Sequence, residues 1–154
     1  MVNWFITRGG LWVVGQSILM IGVVVLGVLF HGQWHDRAGI VIGAGLFVLG
    51  GVAGVAGVRA LGPNRTPFPK PVEAATLVQH GIYGLVRHPL YSSVTLASFG
   101  WGLLWQSGPA LLAAVVIAVF LNAKASQEER WLRDKFSDYA NYQKRVSRLI
   151  PWVW

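Results

Sequence analysis

The chain of 154 residues is 54% hydrophobic and only 12% charged, against about 25% charged residues in an ordinary soluble domain, which excludes that class. It contains no cysteine, so a disulfide, a thiolate nucleophile and a cysteine metal centre are all excluded. The net charge of +7 gathers beside the apolar runs and forms no basic stripe with interleaved aromatics, which points to anionic lipid and away from nucleic acid.

Two runs free of charge come first, Leu11–Phe30 and Gly39–Val58, each about the 20 residues that a bilayer core demands. The first is too long for a signal peptide and lacks a small-residue cleavage site, so it reads as a retained anchor. HGQWHDRA (31–38) is the polar turn between them. In the second run Gly39, Gly43, Gly50, Gly54 and Gly57 fall within about 60° of one another on a helix, a face that another helix can approach closely. That helix is either in this chain or in a second copy of it, so a homo-oligomer through the glycine-rich span is a candidate assembly.

A polar segment follows over 59–89, where Pro63, Pro67, Pro69 and Pro71 prevent a continuous helix. Leu90–Gln106 and Ala110–Ala123 are shorter apolar runs joined by SGP (107–109), and they predict a helical hairpin with Pro89 and Pro109 near the two helix starts. The second helix is expected to continue through QEERWLRDKF. Twelve of the thirteen lysines and arginines lie in Arg8, the 59–89 segment and the tail from Lys124. By the positive-inside rule those regions share the cytoplasmic face, where the loop and the tail can meet.

The polar residues at this boundary each have a plain account when taken singly. Arg87 reads as a headgroup anchor, His88 as the cap of the third span, and Tyr83 and Tyr91 as belt aromatics. Lys124–Glu128 and Glu129–Arg133 read as i,i+4 pairs on an exposed helix. Phe136, Tyr139, Tyr142, Arg145 and Arg148 repeat every three residues, as aromatics on a headgroup layer with arginines to phosphate would.

Taken together they resemble one family. LV-x-x-GIY-x-x-VRHP-x-Y (77–91), EER-x-L (128–132) and F-x-x-Y-x-x-Y-x-x-RV-x-R-x-IP (136–151), in that order around a short apolar hairpin, are similar to the isoprenylcysteine carboxyl methyltransferase and phospholipid methyltransferase superfamily. The resemblance covers 61–151. It implies a pocket for S-adenosylmethionine (S-adenosyl-L-methionine) bound by Thr76, Leu77, Val78, Tyr83, His88, Pro89, Leu90, Tyr91 and Glu128. It implies that Lys124 faces the substrate, and Lys124 and Glu129 are the candidate catalytic residues; no metal is expected. Ser93 and Ser137 stand where the family often has glycine and could crowd a close contact. Lys124, standing for arginine, lacks the fork that grips a carboxylate bidentately.

The expected architecture is all-α and integral to the membrane: about four transmembrane helices under a cytoplasmic cofactor-binding cap. One methyltransferase-like domain spans 1–154, with two spans in 1–58, a loop in 59–89, a hairpin in 90–123 and a tail in 124–154. Both termini are expected on the cytoplasmic side of a prokaryotic inner membrane, and the substrate to be a lipophilic small molecule or lipid, with an isoprenylcysteine-like carboxylate or a lipid amine as methyl acceptor. Two other readings are a non-catalytic lipid-binding or assembly protein, and a membrane reductase of similar C-terminal architecture using NADPH. For the last the chain is short and carries no G-x-G-x-x-G loop.

Overall fold

The computed structural model describes residues 2–153. Its elements in order are α1 (Val2–Thr7), α2 (Gly10–Leu29), α3 (Arg37–Leu61), a 3₁₀ turn at Gly62–Asn64, a second at Gly81–Gly84, α4 (Pro89–Leu104), α5 (Gly108–Lys135) and α6 (Tyr139–Arg145). The protein is all-helical, and its one extended pairing among the described residues is an isolated parallel bridge between Val86 and Ser147. Three helices, α2, α3 and α5, are long and apolar enough to cross a bilayer. α4 has 16 residues, about 24 Å, and so falls short of the roughly 30 Å hydrocarbon core. Three of the about four expected spans are thus long enough to cross by themselves, with α4 as a shorter companion.

The helix ends follow local chemistry. Asp36 caps α3 by accepting from the Ala38 and Gly39 amides, and Ser107 caps α5 by accepting from Ala110, each satisfying donors that the first turn leaves open. Pro89 opens α4, where its missing N–H costs nothing. At the far end from the cap, the two turns are laced together. The Gly32 and Gln33 amides donate to the Trp105 and Gln106 carbonyls, Gln33 accepts from Gly108, and Gln106 donates to the Asp36 carbonyl.

α4 stands at the centre of the bundle, packed on α3 along one side and on α2 and α5 along the other. The glycine face of α3 is what seats it. A Cβ on Gly43 would come within 2.8 Å of the Leu104 nitrogen, one on Gly50 within 2.8 Å of the Ser93 carbonyl, and one on Gly100 of α4 within 2.6 Å of the Phe47 nitrogen. Lipid tails give apolar helices no hydrophobic reason to associate, so close backbone approach and dispersion supply the contact. The stripe therefore meets a helix of its own chain, and that face is not free for a second copy. Ser93 fits this seam without crowding it: its hydroxyl donates to the Gly50 carbonyl at 2.6 Å, in space that Gly54 leaves open.

Behind α4, the buried face of α5 runs Ala110, Ala114, Ile117, Leu121, Ala125, all fully buried, at the i, i+4, i+7 spacing of one helical stripe. Val23 of α2 closes the core against Ile117 and Leu121. The same α5 stripe continues upward into Lys124 and Glu128, so the residues that build the core also aim the polar groups above it.

Candidate functional site

Above the bundle the 62–88 segment folds back over the helix ends. Gly81, at φ 62, takes the left-handed conformation that starts its second turn. Asn64 and Thr76 tie its two limbs, with the Thr76 amide donating to Asn64 Oδ1 at 2.9 Å. Lys135, at the top of α5, donates to the Val72 carbonyl and, at 2.7 Å, to that of Glu73. The unanticipated helix α1 grips the same segment: Trp4 and Phe5 pack edge-on against Phe68, and the Arg8 guanidinium lies 4.9 Å from the Phe68 ring centre.

The tail closes the other side. The Arg87 and His88 amides donate to the Ser147 and Arg148 carbonyls, and Ser92 donates to the Leu149 carbonyl at 2.6 Å. Tyr142 donates from its phenol to the Tyr83 carbonyl at 2.5 Å. Tyr139 and Tyr142 are 1% and 2% exposed, so the tail aromatics do not spread over a headgroup layer; they form the inner wall of the cap. Burial pushes the phenols of Tyr83 and Tyr139 well above the ordinary tyrosine range. That of Tyr142 is pushed up to about 12, by burial first, with the positive charge of Arg87 opposing and Glu129 adding.

Between loop, tail and helix ends lies a cavity of about 430 Å³, within the usual range of small-molecule sites. Thr76, Leu77, Val78, Tyr83, His88, Leu90, Tyr91, Lys124 and Glu128 all line it. Pro89 does not; it is buried at the start of α4, where it fixes the direction in which Leu90 and Tyr91 leave. Tyr91 donates to Glu128 Oε2 at 2.5 Å and stacks on His88 with the rings parallel and their centres 5.2 Å apart. His88 Nδ1 lies 3.7 Å from the same oxygen.

Glu129 is the correction. Neighbours on a helix point about 100° apart, so while Glu128 follows the α5 stripe into the cavity, its neighbour turns toward the tail. Glu129 is 1% exposed and does not line the cavity. Its Oε1 accepts from Arg87 at 2.9 Å and from His88 Nε2 at 3.2 Å; its Oε2 accepts from Arg148 at 2.7 Å and Gln143 at 3.0 Å. With both oxygens occupied, it ties loop, helix and tail together as a clamp.

Arg87 and Arg148 are likewise corrected from surface anchors to part-buried partners of that clamp, Arg87 also donating to the Gln143 and Val146 carbonyls. The expected Lys124–Glu128 and Glu129–Arg133 pairs are absent from the ion pairs among the described residues. Gln16 of α2 is a cavity residue that the sequence did not single out; Phe136, Tyr139 and Tyr142, singled out as headgroup aromatics, line the cavity as well. The one available signal was complementarity, with two adjacent basic residues, Arg87-His88, to set against two adjacent acidic ones, Glu128-Glu129.

The family profile described as phospholipid methyltransferase matches residues 38–139. Methanethiol S-methyltransferase 1 of Bradyrhizobium diazoefficiens is 39% identical over 72 residues, which are 46% of this chain and 25% of that protein. Protein-S-isoprenylcysteine O-methyltransferase B of Arabidopsis thaliana is 34% identical over 79 residues, 50% of this chain and 40% of that one. The chain thus matches less than half the length of these relatives. Among solved structures, the eukaryotic intramembrane Ras methyltransferase (isoprenylcysteine carboxyl methyltransferase) superposes with a TM-score of 0.72 at 22% identity, over 89% of this chain and 52% of that one, a likeness of fold alone. With more than half of its residues inside the profile, this chain belongs to the phospholipid methyltransferase family.

Proposed function

We propose that the protein is an integral-membrane methyltransferase that uses S-adenosylmethionine to methylate a lipophilic acceptor, with its cap on the cytoplasmic face. The observation that carries this is the carboxylate of Glu128. It lines a cavity of suitable size, and its neighbour Glu129, not Glu128 itself, takes the two arginines. A carboxylate left free of arginine, with one oxygen already oriented by Tyr91, suits an ammonium or a ribose diol. The apolar wall of Leu77, Val78, Leu90 and Phe136 suits an adenosyl group, so the donor set fits the cofactor.

Bound there, the cofactor would supply an electrophilic methyl group on a sulfonium. The chain's own part is positioning. Glu128 holds cationic and hydroxyl groups, Tyr91 fixes the Glu128 rotamer, and His88, locked by Glu129, backs the Tyr91 ring. Pro67, Pro69 and Pro71 with Phe68 roof the cavity and limit water. Methyl transfer is an in-line displacement, for which alignment of donor and acceptor is the main contribution a protein can make. Val13, Ser17, Gly54 and Val58, from the two apolar helices α2 and α3, line the opposite end, where a lipophilic acceptor would lie.

Isothermal titration of detergent-purified protein with S-adenosylhomocysteine tests the reading. Micromolar binding that Glu128→Gln weakens at unchanged melting temperature is expected. Absence of binding to folded wild type would sink it.

A further inference from the structure

One turn before Glu128 on α5, the cavity holds a second polar corner. Lys124 is 3% exposed, and none of the ion pairs among the described residues includes it. Its Nζ donates to Gln16 Oε1 at 2.6 Å and lies 5.1 Å from the centre of the Tyr91 ring. Both partners are neutral. A dipole and a ring face offset only part of the cost of burying an ammonium. The carboxylate nearest in sequence, Glu128, gives its Oε2 to Tyr91 and faces His88.

Gln16 is itself half-used. Its amide oxygen takes the lysine, while its amide nitrogen finds only the Met20 sulfur at 3.7 Å, a weak acceptor. Two donor groups, one from α2 and one from α5, therefore meet in the corner walled by Val13, Ser17 and Val94. Gln16 lies outside the 38–139 match, so the family profile assigns it nothing.

We propose that Gln16 is the residue that selects the methyl acceptor, forming with Lys124 a two-donor seat for an anionic head group, a carboxylate or a thiolate, on a lipophilic molecule. This rests on the methyltransferase reading above. The anionic head group supplies the charge that no ion pair gives Lys124, and the Gln16 amide nitrogen supplies a second bond to the same group. An anionic acceptor also suits the bases at hand. Its lone pair forms the new bond to carbon as the carbon–sulfur bond breaks, and its charge cancels that of the sulfonium; a carboxylate has no proton to lose, and a thiol gives its proton to water before binding, the ammonium of Lys124 favouring the thiolate. In the reading above Glu128 is taken up by the cofactor, and His88 spends Nε2 on Glu129 while Nδ1 faces Glu128, so neither is set aside as a base for the acceptor. An ammonium acceptor would need such a base and would face the charge of Lys124.

The full chain in a zwitterionic detergent, loaded with S-adenosylhomocysteine, is titrated with dodecanoate, dodecanethiol and dodecylamine. Wild type is expected to bind one of the two acids about tenfold or more tightly than the amine, and the tighter acid names the head group. Gln16→Glu places a fixed carboxylate against Lys124, so it should erase that preference while S-adenosylhomocysteine affinity stays within about twofold. Gln16→Leu, which removes the amide without adding charge, should lower the affinity for the acid about three- to tenfold and serves where the glutamate variant does not fold. A wild type that binds the amine equally well or better overturns the proposal, as does an unchanged preference in both variants. Failure of wild type to bind S-adenosylhomocysteine strikes the methyltransferase reading instead, and the head-group preference is then read on unloaded protein.

Discussion

Along the α3–α4 seam, a single methyl group on Gly100 would stand 2.6 Å from the Phe47 nitrogen, and no side-chain charge takes part. In the cap, Glu129 gathers Arg87, His88, Gln143 and Arg148 from three separate stretches of chain. The seam works by the absence of side chains, the cap by their charges. Each suits its surroundings. Between helices in lipid, close contact is the available attraction, whereas an irregular loop at the boundary needs directional bonds to keep one shape. Glycine in the seam makes the bundle rigid without consuming a polar group. The cap concentrates its polar groups on one carboxylate, and leaves the adjacent one facing the cavity.

The sharpest break is Glu129→Leu. It strands two part-buried arginines, a change that costs up to about 3 kcal/mol, the low end for breaking a buried pair. Thermal unfolding in detergent should show that loss, and protease should reach the 59–89 segment while α2–α5 stay intact. Should the whole bundle melt together instead, cap and seam are one cooperative unit. Gly100→Ala attacks the other side and should cost about 1–3 kcal/mol by overpacking, with S-adenosylhomocysteine affinity little changed in the fraction that folds. Glu128→Gln separates ligand from scaffold: affinity for S-adenosylhomocysteine should drop about ten- to hundredfold, or roughly 1.4–2.8 kcal/mol, at an unchanged melting temperature. A stability loss equal to that of the Glu129 variant would show the two carboxylates to be equivalent.

Alkali should loosen the cap before the seam. Tyr142 titrates at about 12 in the fold against 10.0 as its ordinary value, because burial disfavours the phenolate. The stability from this raised value is fully present below pH 10 and is lost as pH climbs through 12, at no more than about 1.4 kcal/mol per pH unit. Melting curves between those limits should fall for wild type and fall less steeply for Tyr142→Phe, the slope that remains coming from the raised phenols of Tyr83 and Tyr139; at neutral pH the variant should cost only about 1 kcal/mol for its lost bond to the Tyr83 carbonyl.

The spans were legible because charge-free runs of membrane length have few alternatives, and the glycine stripe announced a close helix contact. The choice between α4 and a second copy was not in the pattern, since both present an apolar surface. Thr76 to Val78, Tyr83, His88, Leu90, Tyr91 and Glu128 were reached through a motif resemblance, and geometry brings them to one cavity. Glu129 was misread because adjacent helix residues diverge by about 100°, and nothing local says which of two glutamates faces inward. That depends on Arg87 and Arg148, 42 and 19 positions away. Gln16, 108 positions from Lys124, lay in a run where one amide looks like a tolerated exception. α1 was missed because six residues are too few for a periodic signal.

The Val86–Ser147 bridge bears on how the protein is made. Residues 146–149 complete the inner wall of the cap, and they leave the ribosome after every membrane helix has emerged. The bundle can insert and pack first, while the Glu129 clamp waits for its last arginine. A chain stalled before Arg148 would sit in the membrane as a helix bundle with an open cap, so that the walled cavity forms only after the helices that carry it are in place.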